Sequence, residues 1–345
     1  MEVLCEKKPE GGRDYRMDNL KCLLIFSVVL GHMLELCMGK NPGGRTLYLI
    51  IYSLHMPLFA FVTGVFARYR PERIRSHMIY PYLVFQTLYL LFANLVLEKD
   101  ADVQYTTPYW LLWYLFALIV WNLVLPLVSG EEMSWKKKLF FLAASFGAGL
   151  LIGFDDKAGY YLSVSRIVEF FPYFLMGVYY RQAAGLRRRR SLSGRRAARL
   201  LALAATVFVV CLVAGYAEEI KSVWLYGSVS YEKGDYSLGI RAAGVLAALV
   251  WLGFFLLWMP GSRLPLVSRI GANTMPVYLL HGFLVKLFSK IRLFSFIEND
   301  IRAAVLLSAL LVLLLSWAPL VRLLSPLFCW KGTLLRKRTN RRRAA

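Results

Sequence analysis

The stretch LKCLLIFSVVLGHMLELCM, residues 20–38, decides the fold of this chain. It is mostly apolar, and about 20 apolar residues in an α-helix are long enough to cross the hydrocarbon core of a membrane. Deep inside it, His32 and Glu35 lie three positions apart on one helix face. An ionisable group in a membrane helix costs roughly 2.5–3.5 kcal/mol to insert, so such a group indicates function. The stretch therefore predicts a transmembrane helix that carries part of a site.

Similar apolar runs recur along the chain, which has 345 residues and is 58% apolar. The runs that fit a membrane helix are ten, at roughly 20–38, 46–67, 78–97, 109–128, 138–153, 163–180, 199–216, 238–258, 271–288 and 302–324. Little of the chain remains to build a second domain. We therefore expect an all-α polytopic membrane protein with about ten transmembrane helices in one bundle. Its predicted parts are an N-terminal segment 1–19, a membrane domain 20–324 and a basic tail 325–345.

The formal net charge of +21 is unevenly placed. Lys and Arg concentrate in alternate connecting segments, such as 68–77 and 181–199, and in the tail. By the positive-inside rule, this pattern predicts a multi-pass membrane protein with cytoplasmic termini. We expect the membrane to be the plasma (inner) membrane of a bacterium. The run Arg187–Arg190 is explained by topology and by contact with anionic lipids at the basic cytoplasmic loops. No nucleic-acid partner is expected, because no recognition fold accompanies the charge.

Six ionisable side chains on four predicted spans share one membrane depth. They are His32, Glu35, His55, Arg166, Glu169 and His281. A helical rise of 1.5 Å per residue places them about 15 to 22 Å from the predicted cytoplasmic face. This is near the middle of a core about 30 Å thick. Because hydropathy and charge alone positioned the spans, the shared depth predicts that these groups meet in one buried chamber.

Such a chamber admits more than one chemistry. A neutral imidazole can act as a general base toward a hydroxyl, or it can relay protons in a carrier. Membrane histidines can also join helices by hydrogen bonds. Arg166 and Glu169, three positions apart, can form a neutralising structural pair. Three histidines could bind zinc, but no helical His-x-x-x-His spacing occurs, so no metal is expected.

A basic loop, 68–75, follows the span that carries His55 and holds four arginines. Basic residues here could simply set the topology. Arginine, however, also binds phosphate through two parallel hydrogen bonds. A cofactor with phosphates at one end and a reactive group at the other would fit between this loop and the buried histidines. Coenzyme A esters have this form.

Four segments of the chain resemble the membrane-bound acyltransferase-3 superfamily, most closely its fucose-4-O-acetylase-like branch. The segments are Arg16–Lys21 with Val28–His32, Ile51–Phe59 with Thr63–Gly64, Leu112–Leu115, and Asn273–His281. The resemblance implies an O-acyltransferase that takes an acetyl or other short acyl group from cytoplasmic acyl-CoA, with acetyl-CoA as the expected donor. The acceptor would be a hydroxyl of a cell-surface carbohydrate or lipid-linked sugar.

The family's reactive histidine corresponds to His32, and its arginine motif to Arg70 and Arg73. The predicted site consists of His32 and Glu35 as catalytic residues, of Arg70, Arg73 and Arg75 as cofactor-binding residues, and of His55, Arg166, Glu169 and His281 as residues that line the passage. Direct attack by the acceptor and a transient acyl-enzyme both remain open. The alternative function is a proton-coupled transporter or flippase of lipid-linked or surface sugars. It is disfavoured because paired broken helices are not obvious. A third possibility is a membrane scaffold in which the histidines only join helices.

Overall fold

A computed structural model of the chain describes residues 14–130, 132–184, 192–297 and 300–330. These residues form helices and turns, without a β-strand, so the predicted all-α fold is confirmed. Most of the predicted N-terminal segment, the run 187–190 and the tail from residue 331 lie outside the described residues.

The α-helices, in chain order, are α1 (Tyr15–Leu34), α2 (Pro42–Phe66), α3 (Pro71–Ile74), α4 (Tyr80–Leu95), α5 (Trp113–Val128), α6 (Trp135–Leu151), α7 (Val164–Ala184), α8 (Leu192–Gly215), α9 (Tyr231–Gly234), α10 (Leu238–Trp258), α11 (Pro265–Ala272), α12 (Thr274–Lys290), α13 (Leu293–Phe296), α14 (Ile301–Leu315), α15 (Ala318–Leu323) and α16 (Ser325–Phe328). A π-helical turn, Arg75–Ile79, joins α3 to α4. Short 3₁₀ turns lie at Met38–Lys40, Trp110–Leu112, Ile152–Phe154, Tyr161–Ser163 and Ser222–Leu225.

Polar residues cap several helices where the apolar runs begin. The Asp14 side chain accepts a hydrogen bond from Met17 N at 3.3 Å and so caps α1. The Asn41 side chain does the same for Gly44 N at 3.4 Å, just before the proline that opens α2. Such caps satisfy backbone N–H groups that have no partner within the helix. The local sequence therefore fixes where α1 and α2 start.

Seven helices in the described part of the chain are long and apolar enough to cross a membrane, judged by length and composition. They are Tyr15–Leu34, Gly43–Phe66, Pro71–Leu95, Trp110–Val128, Trp135–Phe154, Arg196–Gly215 and Leu238–Trp258. The other three predicted spans are at least partly helical, as α7, α12 and α14. In the last of them, 302–324, the helix ends at Leu315 and restarts at Ala318, with a proline in the new first turn. The total of ten spans stays a prediction.

Helix α2 packs against α7 more extensively than any other pair of helices. The contact depends on two glycines. A Cβ added at Gly64 would meet the Phe174 carbonyl, and one at Gly177 would meet the Phe61 carbonyl. The two backbones thus approach as closely as small residues allow at membrane helix interfaces. This crossing sets the position of α7 relative to the helix that carries His55.

We expect Gly177→Ala to destabilise the fold, because the methyl group has no space without separating α2 from α7. Overpacking of this kind typically costs about 1–3 kcal/mol. Thermal unfolding of the purified protein in detergent would show a lower midpoint. Gly147→Ala on α6 is the matched control, since a Cβ there meets nothing within 4 Å. Equal midpoints for the two variants would contradict this account of the crossing.

Candidate active site

A cavity of about 830 Å³ runs along one face of α1. The α1 face and its flanking residues contribute Asp14, Asp18, Lys21, Ile25, Val28, His32 and Glu35. These positions recur every three or four residues, as expected for a single helix face. Twenty-one helical steps span about 31 Å, which matches a hydrocarbon core about 30 Å thick. The α1 side of the cavity therefore extends from the start of the helix to the level of His32 and Glu35.

His32 and Glu35 form the polar centre of this cavity. His32 Nδ1 lies 3.4 Å from Glu35 Oε1, and the His32 side chain is 14% exposed. Tyr48 donates a hydrogen bond to the same carboxylate oxygen at 3.3 Å, and Tyr52 donates to it as well. Because the carboxylate faces Nδ1, it stabilises a proton there and leaves Nε2 to accept one.

His281 and Trp110 pack directly on His32. The His281 ring is stacked with the His32 ring at a centroid distance of 5.5 Å, and the Trp110 ring lies 4.6 Å away. His281 is fully buried, and its Nδ1 bonds the Val277 carbonyl at 2.9 Å. Its Nε2 has no hydrogen-bond partner among the described residues. Lys286 Nζ lies 4.0 Å from the centre of the Trp110 ring.

His55 contacts Tyr52, which in turn contacts His32 and Glu35. The His55 ring lies 4.7 Å from the Tyr52 ring, and its Nδ1 donates to the Ile51 carbonyl at 2.7 Å. The hydroxyl oxygen of Tyr52 also lies 3.4 Å from His32 Nδ1. The structure thus brings His32, Glu35, His55 and His281, from three predicted spans, into one cluster.

Arg166 and Glu169, predicted to line the passage together, face different surroundings. Arg166 lines the cavity, and its Nε donates to the Tyr226 carbonyl at 3.2 Å. Glu169 is not among the lining residues, and its Oε2 lies 3.4 Å from Arg241 Nη2. The depth calculation from sequence gives the height of a residue along its helix, and it does not give the direction of the side chain. Glu169 therefore shares the depth of the cluster without entering the cavity.

Of the three arginines predicted to bind the cofactor, only one lines the cavity, at the end formed by the basic loop. Arg73 lines the cavity beside Arg68, whereas Arg70 and Arg75 are exposed. The Arg75 guanidinium lies 5.8 Å from the Trp330 ring centre. Lys21 joins the cavity-facing cations at this end and forms a 2.8 Å ion pair with Asp18. This end thus combines three basic side chains with the carboxylates of Asp14 and Asp18.

Several residues of the site escaped the sequence analysis. Tyr48 and Tyr52 precede His55 at seven and three positions on α2, so helical spacing could have indicated them. Tyr226 comes from the segment 217–237, whose aromatic residues fit an interfacial belt or a sugar platform, and helical spacing gave no sign that it contacts Tyr48. Its hydroxyl lies 2.7 Å from the Tyr48 hydroxyl. Burial raises the pKa of the Tyr226 phenol, so the group stays protonated and available as a donor.

The sequence matches, over residues 14–321, the model of a family described as an acyltransferase domain. The chain belongs to the acyltransferase-3 family. A stretch of 58 residues is 41% identical to nodulation protein NolL of Sinorhizobium fredii (strain NBRC 101917 / NGR234), and it covers 16% of this chain and 16% of that protein. No solved structure matches the chain. With its apolar helices, this acyltransferase is a multi-pass membrane protein, while the fucose-4-O-acetylase-like branch stays a prediction.

In this acyltransferase, the buried pair of Arg241 and Glu169 anchors the loop before α10. Arg241 also donates to the Gly149 carbonyl at 3.1 Å and to the Val229 carbonyl at 3.0 Å. We expect Arg241→Met to destabilise the protein strongly, by about 3–5 kcal/mol, because it leaves a buried carboxylate unpaired. The double variant Arg241→Met/Glu169→Leu should recover part of the loss, since no buried charge remains. The thermal unfolding midpoint of each variant in detergent measures its stability. A double variant less stable than Arg241→Met alone would contradict the pairing.

Proposed function

We propose that this acyltransferase moves an acetyl or other short acyl group from cytoplasmic acyl-CoA to a hydroxyl of a cell-surface carbohydrate, in the plasma (inner) membrane of a bacterium. One observation carries the proposal: a single cavity contains both the basic end and the centre of His32 and Glu35. A CoA ester has phosphates at one end and a thioester at the other, so it suits a cavity with this polarity. Acetyl-CoA is the simplest such donor.

The basic end, predicted to be cytoplasmic, would hold the phosphates of the donor. Arg68, Arg73 and Lys21 line the cavity there, and guanidinium groups bind phosphate with two parallel hydrogen bonds. Eleven helical steps separate Lys21 from His32, or about 16 Å. A long flexible arm is needed to carry a thioester over that distance, and the pantetheine arm of CoA has this character. The exposed Arg70 and Arg75 would assist at the rim or contact anionic lipids.

The centre would perform the transfer. In direct transfer, His32 Nε2 takes the proton of the acceptor hydroxyl while the hydroxyl oxygen attacks the thioester carbonyl. The C–S bond then breaks, and the departing thiolate takes the proton from the imidazolium. Glu35 stabilises that imidazolium through Nδ1. In the acyl-enzyme route, Nε2 itself attacks the carbonyl and the C–S bond breaks, so CoA leaves as a thiolate and an acyl-imidazolium forms. The acceptor oxygen then attacks the acyl carbon and the N–C bond breaks. The hydroxyl proton is released to solvent, where it balances the thiolate, and the imidazole is neutral again. Both routes use the same two residues.

The other end of the cavity supports a carbohydrate acceptor. Tyr160, Trp113 and Tyr226 line it, and aromatic rings combine a large apolar face with polar edges. Such rings can stack on the apolar faces of sugars while hydroxyl groups reach neighbouring donors and acceptors. The two ends thus favour a phosphorylated donor and a sugar acceptor that meet near His32.

We expect His32→Ala to abolish acyl transfer, with a loss of at least about 100-fold, because general acid–base catalysis typically contributes that much. The assay follows labelled acetyl-CoA with the purified protein and a broad panel of glycosides. His77→Ala, a change outside the cavity lining, should retain activity. An intact thioester with the unaltered protein across the panel favours a transporter. A large drop in thermal stability of His32→Ala would instead favour a structural role for the imidazole.

We expect Arg73→Ala to raise the KM for acetyl-CoA by about 10-fold or more, because a charge-assisted contact to phosphate is lost. Arg70→Ala, an exposed neighbour, should have a smaller effect. Acetyl-dephospho-CoA, which lacks the 3′-phosphate, should narrow the difference between Arg73→Ala and the unaltered protein if that phosphate is the contact. Equal KM values for the two arginine variants would contradict the assignment of Arg73 to the donor.

A further inference from the structure

At the end of the cavity remote from the basic loop, Arg166 is a cation without a carboxylate partner. Its Nε donates to the Tyr226 carbonyl at 3.2 Å. Within the described part of the chain, no carboxylate lies within 4.0 Å of its guanidinium, and its two Nη groups have no hydrogen-bond acceptor. Since Arg166 lines the cavity, these donors are available to a molecule inside it.

The neighbouring charges do not neutralise this cation. Glu169, one turn away on α7, is engaged by Arg241 at 3.4 Å. Glu35 accepts hydrogen bonds from Tyr48 and Tyr52 and faces His32. The group formed by Arg166, Arg241 and Glu169 therefore has a net charge of +1. Arg166 is half-buried and lines the cavity. A partly desolvated cation is stabilised by an opposite charge, so the favoured occupant of this end of the cavity is an anion.

Two aromatic rings hold the guanidinium in place. Its central carbon lies 5.1 Å from the Trp113 ring centre and 5.3 Å from the Tyr160 ring centre. Contacts of this kind orient a guanidinium and leave its N–H donors free at the edge of the plane. An oriented edge matches the two oxygens of a carboxylate or phosphate. Tyr160 is itself 58% exposed, so this end of the cavity is within reach of an external molecule.

A short chain of contacts connects this cation to the catalytic centre. Arg166 bonds the carbonyl of Tyr226, the hydroxyl of Tyr226 contacts that of Tyr48, and Tyr48 donates to Glu35. Arg166 and His32 also line the same cavity, so a sugar that places an anionic substituent at Arg166 would extend into the space that His32 faces. The anionic group and the reacting hydroxyl would belong to the same or adjacent sugar residues.

We infer that Arg166 is an acceptor-recognition residue and that the acceptor is an anionic carbohydrate, with a carboxylate or phosphate group bound at the edge of the guanidinium. This inference rests on the proposed function, because it names the acceptor of the same reaction. The binding energy at Arg166 orients the sugar so that one hydroxyl faces His32 Nε2. A neutral sugar lacks that anchor and binds more weakly.

The test measures binding to the full-length protein in nanodiscs by isothermal titration calorimetry, without any acyl donor. The probes are methyl glucuronide for a carboxylate, glucose 1-phosphate for a phosphate, and methyl glucoside as the neutral counterpart. The unaltered protein should bind at least one anionic probe about 10- to 100-fold more tightly than the neutral probe. Arg166→Gln should remove this preference and leave the affinity for methyl glucoside unchanged. The stronger of the two anionic probes identifies the group.

Two further variants keep the test decisive. Arg166→Lys retains the charge and loses the planar pair of donors, so the preference for the anionic probe should fall several-fold while the fold is preserved. Arg302→Gln removes a cation that is 88% exposed and lies outside the cavity lining, and it should change nothing. Equal affinity of the unaltered protein for all three probes, or an unchanged preference in both Arg166 variants, would overturn the inference. Because no acyl-CoA is present, these outcomes are independent of whether acetyl-CoA proves to be the donor.

Discussion

The site depends on the need to keep the Glu35 carboxylate satisfied within an apolar bundle. A buried charge is tolerated only when hydrogen-bond donors surround it, and Glu35 obtains them from Tyr48 and Tyr52 of α2 and from His32 of α1. These bonds fix the two helices relative to each other. They also bring in the loop that carries Tyr226 through the hydroxyl of Tyr48. The orientation of the imidazole follows from this one carboxylate.

Helix α7 supplies a side chain to the end of the cavity remote from the basic loop. The close crossing at Gly64 and Gly177 holds it against α2. In this position Arg166 lines the cavity, while Glu169 pairs with Arg241 beside the loop before α10. One helix thus supplies a cation to the cavity and a carboxylate to the supporting structure. Arg166 faces the cavity and Glu169 faces Arg241 because of the way α7 packs against its neighbours. The spacing of the two residues in the sequence does not show this difference.

The positions of the helices could be predicted because hydropathy reports directly on burial in lipid. The predicted shared depth of His32, Glu35, His55 and His281 agrees with their meeting in one cluster. The directions of side chains could not be predicted in this way, which explains why Glu169 was expected beside the cavity. The aromatic residues around His32 were missed for a different reason. Trp110 and Tyr48 carry no charge, so nothing in their cost of insertion distinguishes them from ordinary apolar residues. The family resemblance supplied the chemistry, which composition alone left open.

The length of the cavity has a consequence for the energetics of the host membrane. A hollow that extends over about 31 Å along α1 lies across most of the electrical potential of the bilayer. Water and ions that traversed it freely would dissipate the gradient that drives cellular energy conversion. The rings of Tyr52 and Trp110 line this cavity beside His32, where group transfer would occur. Side chains that occupy this point would limit such a leak as well as contact the imidazole.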